Sequence, residues 1–305
     1  MMNQTGTVSE FLLLGFSNSR KLQILYVVIV MLMYLAALMG NLFIITVVTL
    51  HHHLHIPMYF FLMNLSILDI GSVSVTLPKS MANSLLNTRL ISYFGCVAQL
   101  FFFAFFLGTG FFILTVMAYD RYVAICKPLH YETIMSRRAC VQTAAMAWIA
   151  GLLQSAMHTG STFTVTFCKG NIVNQFFCEI PHLIKLSCSD SYLREFGVLA
   201  LSVLLALSCF IFIMVSYVHI FTTILRLPSE QGRYKAFSTC IPHITMVSLY
   251  LINGTFAHMK PPSLSPSSLD LILAILYSVV PALMNPIIYG LRNKDITVAL
   301  KKMIQ

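Results

Sequence analysis

The sequence predicts an all-α membrane protein, a seven-transmembrane helix bundle, and two observations lead to this fold class. First, 58% of the 305 residues are hydrophobic and only 10% are charged, whereas about 25% of a typical soluble domain is charged. Second, the apolar residues form seven stretches, each long enough for the roughly 20 residues that a helix needs to cross a bilayer. These stretches are residues 23–50, 58–81, 93–126, 140–160, 196–227, 237–259 and 269–290.

The loops predict the orientation of these spans. An odd number of spans puts the two termini on opposite sides, and the side of the carboxyl terminus carries ten basic residues against three acidic ones, compared with seven against five on the other side. Because basic loop residues are enriched in the cytosol, we expect residues 1–22 outside the cell and the tail 291–305 inside. The segments between spans are too short for a second domain, so residues 1–305 are expected to form one.

Three further expectations concern the short segments outside the spans. Residues 11–16 form an apolar run with no basic region before it, so no cleavable signal peptide is predicted. Asn3 begins a glycosylation triplet on the predicted outer side. The histidines at 51, 52, 53 and 55 lie in a short turn without cysteines or acids, so no metal site is assigned. The basic residues are split among short loops, which does not indicate nucleic acid binding.

Several spans contain polar or charged residues. Asn41 in the first span and Asp69 in the second are expected to face one another and a few waters inside the bundle. Asp120 and Arg121 end the third span, where an unpaired Arg near mid-bilayer would cost about 3 kcal/mol. The neighbouring acid and the membrane interface make this Arg tolerable.

Eight cysteines divide by side. Four are predicted outside the cell, where disulfides form, and they allow three pairings that spacing cannot decide between. These are Cys96, Cys168, Cys178 and Cys188. The others lie in or near the inner half and are expected to be reduced: Cys126, Cys140, Cys209 and Cys240.

Five short strings, in order along the chain, resemble those of vertebrate olfactory receptors, a branch of the rhodopsin-like G-protein-coupled receptors. They are PMYFFL at 57–62, MAYDRYVAIC at 117–126, SY at 216–217, KAFSTC at 235–240 and PALMNPIIY at 281–289. The resemblance covers almost the whole chain. It implies a short amphipathic helix 8 in the tail, no enzymatic activity and no cofactor.

The resemblance also implies a signalling site. In the family, the Arg of the Asp-Arg-Tyr motif is held by its neighbouring Asp at rest and then contacts the G protein, which assigns these roles to Asp120 and Arg121. Tyr217 and Tyr289 are expected to swing inward on activation. The full set carried over for coupling is Asp120, Arg121, Tyr122, Tyr217, Lys235, Asn285, Pro286 and Tyr289.

Two more features follow from the resemblance. It selects the disulfides Cys96–Cys178 and Cys168–Cys188, the first of which would hold an extracellular loop as a lid. It also makes Asp69 a candidate sodium ligand, but Gly110 replaces the family's second acid, so at most a weak site is expected. Leu251 stands where the family has a Tyr that shifts on activation.

The ligand site implied by the resemblance lies in the outer half of the bundle. Its residues are Phe103, Ala104, Leu107, Gly108, Leu201, Ser202, Leu205, Leu251, Thr255, His258, Ile275 and Ser278. None is Lys, Arg, Asp or Glu, and a charged ligand would be desolvated without a counter-charge. We therefore expect a small, neutral, largely apolar odorant, with Ser202, Thr255 or His258 offering a hydrogen bond.

The predicted function is an odorant receptor in the plasma membrane, with cilia of olfactory sensory neurons implied by the resemblance, that couples to a stimulatory G protein and raises cAMP. A secondary transporter is the alternative, because polar residues within spans, such as Asp69, Asn285 and His243, also mark ion paths. Transporters usually contain internal repeats with paired broken helices. The sequence shows no such repeat, which favours the receptor.

Overall fold

The computed structural model describes residues 8–15, 19–188, 192–226, 228–259 and 268–291. Helices dominate this part of the chain. In order they are α1 Arg20–Leu50, α2 Pro57–Leu85, α3 Tyr93–Cys126, α4 Tyr131–Ile134, α5 Arg137–Phe163, α6 Ile180–Ile184, α7 Tyr192–Leu225, α8 Glu230–Met259 and α9 Ser268–Asn285. A π-helical turn, Pro286–Leu291, continues α9. Asn3 and the predicted helix 8 lie outside the described residues.

The seven long helices correspond to the seven predicted spans and confirm the fold class. Five of them, α1, α2, α3, α5 and α7, are long and apolar enough by themselves to cross a membrane, judged on the described residues. Helix α8 is less apolar because its first turns carry Glu230 and Arg233 and its middle holds His243. Helix α9 has only 18 residues before Pro286 changes the helical pattern.

Local sequence explains where several helices begin. Ser92 precedes α3 and its hydroxyl accepts a hydrogen bond from the Gly95 amide at 3.1 Å. Ser136 plays the same part for α5, with the Ala139 amide at 3.4 Å. These are N-terminal caps, which satisfy amides that have no partner within the helix. Pro57 begins α2, where its missing N–H is not needed.

Helix α3 lies at the centre of the bundle and packs against α2, α5, α7 and α8. Two of the three buried apolar clusters of the described residues lie between the long helices, and the third joins the small sheet to the outer end of α3. The inner core, on the side predicted to face the cytosol, includes Leu62, Leu65, Leu114, Met117 and Met246. The outer core includes Val73, Leu77, Phe103, Phe177, Ile275 and Val279. Large apolar side chains on α1 and α7 remain exposed, as expected for helices that contact lipid.

A small sheet covers part of the side that is predicted to be extracellular, and the sequence did not predict this sheet. Its strands are β1 Glu10–Leu13, β2 Leu90–Ser92 and β3 Ile172–Val173, in the order β2-β1-β3. Strand β1 is antiparallel to β2 and parallel to β3. Phe11 is fully buried and its ring packs edge-on against Phe167, with centroids 5.3 Å apart. The apolar run near the amino terminus therefore anchors that segment to two extracellular loops.

Two disulfides join this extracellular region. Cys96 at the start of α3 bonds to Cys178, and Cys168 bonds to Cys188, the pairs that the family resemblance implies. Both Cys96 and Cys178 are fully buried. The first bond fixes the loop between α5 and α7 to the outer end of α3. The four remaining cysteines are unpaired.

Candidate ligand and signalling sites

At the cytosolic end of α3, Asp120 and Arg121 form a charged pair. The Arg121 guanidinium donates two hydrogen bonds to Asp120 Oδ2, one from Nε at 3.0 Å and a shorter one from Nη2. The Asp120 side chain is almost completely buried, and 13% of the Arg121 side chain is exposed. Each charge thus has an opposite partner, which is the condition for placing them next to the membrane interior.

Tyr131 of α4 completes this pair, and sequence reasoning missed it. Its hydroxyl donates to Asp120 Oδ1 at 2.7 Å. Burial and the nearby Asp120 carboxylate raise the pKa of Tyr131 above its ordinary value, so the hydroxyl stays protonated and remains a donor. Tyr131 lies eleven residues after Asp120 in a cytosolic loop, where residue spacing gives no sign of the contact.

This geometry gives a test of Tyr131. In Tyr131→Phe, Asp120 loses one of its three hydrogen bonds, and a bond to a charged group contributes about 1.5–3 kcal/mol. We expect the resting pair to loosen and ligand-independent signalling to rise about fivefold or more at equal surface level. Tyr119→Phe is the control, because it removes a neighbouring hydroxyl that does not bond to Asp120. Unchanged basal signalling in Tyr131→Phe would show that the pair does not depend on Tyr131.

Tyr122, the third residue of the motif, faces α7 instead of the ion pair. Its ring centroid lies 5.9 Å from that of His219 and 6.2 Å from that of Tyr119. Lys127 Nζ lies 5.7 Å from the centre of the Tyr122 ring. These contacts support a packing role for Tyr122 at the interface of α3 and α7.

Tyr217 belongs to a hydrogen-bonded chain across three helices. The Leu114 carbonyl oxygen of α3 lies 2.8 Å from His243 Nε2 of α8, and because a carbonyl can only accept, Nε2 carries the proton. His243 Nδ1 therefore accepts from the Tyr217 hydroxyl of α7, at 2.8 Å. His243 is almost fully buried. His243, which follows Pro242 in α8, thus links α8 to α3 and α7.

Asn41 and Asp69 form no direct hydrogen bond with each other, and each has a hydrogen-bond partner on α9. Asn41 Nδ2 donates to the Ala37 carbonyl at 2.9 Å and to the Ala282 carbonyl of α9 at 2.8 Å. Asp69 Oδ2 accepts a short hydrogen bond from Asn285 Nδ2. The physical reason is that α9 packs against both α1 and α2 and provides partners for both residues.

Gly110 faces Tyr250 of α8. A Cβ added to Gly110 would lie 2.8 Å from the Tyr250 hydroxyl, and that hydroxyl donates to Asp69 Oδ1 at 3.5 Å. Tyr250 therefore occupies the space beside Asp69 into which a side chain at position 110 would extend. Among the described residues, no group of three His, Cys, Asp or Glu could hold a metal ion.

Pro286 and Tyr289 lie in the π-helical turn that follows α9. Gly40 of α1 permits the approach of Pro286, since an added Cβ would lie 2.8 Å from two of its ring atoms. Tyr289 is buried, and its hydroxyl has no hydrogen-bond partner among the described residues. A buried hydroxyl without a partner is unfavourable. Lys235 lies in α8, but its side chain is outside the described part.

Three of the predicted ligand residues meet at the outer core. Phe103 and Ile275 are buried in it and Leu107 packs against it. Phe177, from the disulfide-bonded loop, packs edge-on against Phe103 with ring centroids 5.0 Å apart. Gln99 holds that loop in place, because its Oε1 accepts from the Cys178 amide at 2.9 Å. The loop thus covers the outer core from the extracellular side.

The other predicted ligand residues are distributed differently. Ser278 is buried, and its hydroxyl donates to the Ile275 carbonyl of its own helix at 3.0 Å. Leu251 packs against the inner core, and Ala104 is half-buried. Leu201 and Leu205 remain 44% and 39% exposed. Thr255 and His258 lie in α8, but their side chains are outside the described residues.

Gly108 and Ser202 both face α5, which sequence reasoning had not included in the ligand site. A Cβ added to Gly108 would lie 3.3 Å from Gln154 Oε1. Ser202 Oγ lies 2.6 Å from His158 Nε2. Gln154 and His158 are four residues apart, so they share a helix face. Two polar residues four positions apart within an apolar span are the sequence signal that could have identified Gln154 and His158.

A polar cleft also opens on the extracellular surface. It is lined by β1 and the outer ends of α1 and α2, and Gln23, Asn83, Thr88 and Arg89 are among its residues. It touches the outer core through Phe176 and through Leu14, which packs against that core. The cleft contains none of the predicted site residues.

Comparison with known proteins places these sites in context. Residues 30–305 match the family model described as olfactory receptor. Olfactory receptor 14A16 of Homo sapiens is 49% identical over 298 residues, which are 98% of this chain and 96% of that protein. Olfactory receptor 14C36 of Homo sapiens is 50% identical over 305 residues, covering 100% and 97%. Olfactory receptor 14J1 of Homo sapiens is 46% identical over 304 residues, covering 100% and 94%.

Proposed function

Because this chain belongs to the olfactory receptor family of odorant-sensing G-protein-coupled receptors, we propose that it binds small, neutral, mainly apolar volatile molecules from the extracellular side and activates a stimulatory G protein to raise cAMP. Members of the family are multi-pass plasma membrane receptors and not enzymes. Membership also decides between the receptor and the secondary transporter, in favour of the receptor.

The composition of the outer core is the observation that supports the ligand class. Three apolar ligand positions belong to it or pack on it: Phe103, Leu107 and Ile275. A charged ligand there would lose its hydration without gaining an opposite charge, which is unfavourable by several kcal/mol. A neutral apolar skeleton gains about 25 cal/mol for each Å² of apolar surface that it buries.

The cytosolic geometry supports the coupling role. Arg121 is held by Asp120, and Asp120 is held in turn by Tyr131. Hydrogen bonds from Tyr217 to His243 and from His243 to the Leu114 carbonyl connect α7 and α8 to α3, the helix that carries Asp120 and Arg121. A ligand-dependent shift of α7 or α8 would strain these bonds, which is how binding in the outer half would be coupled to the cytosolic side.

A matched ligand series tests the proposed ligand class. Cells expressing the chain are exposed to an alcohol, a ketone, an amine and a carboxylic acid on one carbon skeleton, with cAMP as the readout. We expect the neutral members to activate at concentrations at least tenfold below those of the charged ones, because each charged group must be desolvated. Vector-transfected cells serve as the control. Strongest activation by the amine would mean that the ligand site is not the one described.

A further inference from the structure

We infer that the polar group of the ligand is a hydroxyl and that it donates a hydrogen bond to Gln154 of α5, beside the pair formed by His158 and Ser202. This inference rests on the proposed function, because it names the recognition group within the proposed odorant site. It adds two residues of α5 that the sequence did not assign to that site.

Three helices meet at this place. Gln154 faces Gly108 of α3. A Cβ added to Gly108 would have two atoms from other described helices within 4 Å, and both belong to Gln154. One helical turn further along α5, His158 is nine-tenths buried and lies 2.6 Å from Ser202 of α7. Gly108 and Ser202 are both predicted ligand positions. The same face of α5 therefore touches the ligand positions of two neighbouring helices.

Gln154 has an unmet hydrogen-bonding need. Its Oε1 atom is buried and has no donor among the described residues. The adjacent Ser155 differs, because its hydroxyl donates to the Phe101 carbonyl at 2.5 Å. Buried amide oxygens are nearly always paired in folded proteins. A donor supplied by a ligand would satisfy this oxygen.

The acceptor restricts the ligand's functional group. A carbonyl oxygen needs a donor, so a ketone, an ester or an ether cannot satisfy it. A protonated amine could donate, but the site has no acid among its described members to balance the charge. An alcohol is both neutral and a donor. The hydroxyl is therefore the group that fits Gln154.

The rest of the ligand has an apolar path from this point. Leu107 is adjacent to Gly108 on α3 and packs against the outer core, where Phe103 lies one turn further out. Ala104, one turn from Gly108 on the same face, is small. An alcohol with its hydroxyl at Gln154 would lay its carbon skeleton across Ala104 and Leu107 toward the outer core.

The test compares alcohols with their methyl ethers, which keep the carbon skeleton and the acceptor but lack the donor. Straight-chain alcohols of six to ten carbons and one set of cyclic alcohols are applied with their ethers to cells expressing the full chain. For skeletons that activate the wild type, the alcohol should be about tenfold more potent than the ether, the effect of one neutral hydrogen bond. This comparison requires no variant.

Gln154→Met then removes the amide while keeping the length of the side chain. We expect it to lower the potency of the alcohols about tenfold and to leave the ethers within twofold. Leu153→Met is the matched control, because Leu153 is 59% exposed on the neighbouring face of α5, and it should change neither series.

The contradicting outcomes are distinguishable. If alcohols and ethers activate the wild type equally, or if Gln154→Met weakens both equally, the role of Gln154 is wrong while the receptor function stands. If no compound of this panel or of the matched series activates a receptor that is present at the cell surface, the proposed function itself fails, and this inference fails with it.

Discussion

Arg121→Ala is expected to abolish ligand-dependent cAMP production while the receptor still reaches the cell surface. The side chain lies at the cytosolic end of α3 and is partly exposed, so its removal deletes the cation that the family resemblance assigns to G-protein contact. Asp120 loses its counter-charge in this variant and keeps only the hydrogen bond from Tyr131, so we expect some loss of stability and compare the receptors at equal surface level. The measurement is cAMP at matched surface level, with a loss of at least a hundredfold in potency or complete silence expected.

The matched control for this variant is Arg138→Ala. Arg138 is exposed near the start of α5 on the same side of the membrane, and its replacement changes the net charge equally. It should retain most of the response. Normal responses from Arg121→Ala at equal surface level would remove Arg121 from the coupling mechanism.

The second large effect is expected for Cys96→Ser, which should reduce surface expression severely. The bond to Cys178 spans 82 residues, and both cysteines are fully buried. Loss of a native disulfide from an extracellular region typically costs about 2–5 kcal/mol, a large part of the stability of most folds. The loop that carries Phe177 over the outer core would also lose its covalent attachment to α3.

Cys209→Ser is the control for this prediction, because Cys209 is unpaired and lies in α7. It should be expressed normally. The double variant Cys96→Ser/Cys178→Ser should be no worse than Cys96→Ser alone, since both remove one bond. Normal surface expression of Cys96→Ser, or a peptide map joining Cys96 to another cysteine, would contradict the proposed role of this disulfide.

The helices could be predicted because their signal is local. A run of some 20 apolar residues is sufficient evidence for a spanning helix, and the predicted starts of α1, α2 and α3 lie within three residues of the structure. The predicted start of α8 at residue 237 was seven residues late. Its first two turns are charged and project into the cytosol, so hydropathy does not detect them.

The extracellular sheet could not be predicted because its pairs are distant in sequence. Glu10 pairs with Ser92, and Leu12 pairs with Ile172. Strands of two to four residues carry too little alternation to be recognised alone. Their register becomes visible only when the helices have brought the three segments together.

The sequence identified many residues of the ligand and signalling sites, but it did not show which neighbouring helix each of them contacts. The family resemblance placed Phe103 and Gly108 in one ligand site, but the structure directs Phe103 to the outer core and Gly108 to α5. Similarly, Asn41 and Asp69 were recognised as polar residues needing partners, and the partners proved to lie on α9. Helical spacing shows which residues share a face, whereas the neighbouring helix depends on the packing of the whole bundle.

The most direct test of the receptor proposal uses cells that lack stimulatory G-protein α-subunits, transfected with this chain and exposed to a panel of neutral volatile alcohols, ketones and hydrocarbons. We predict no cAMP response in these cells, a concentration-dependent response to at least one compound when the α-subunit is restored, and none in either case from Arg121→Ala. A surface-expressed receptor that stays silent to the whole panel after restoration, or one that accumulates a compound without raising cAMP, would contradict the account.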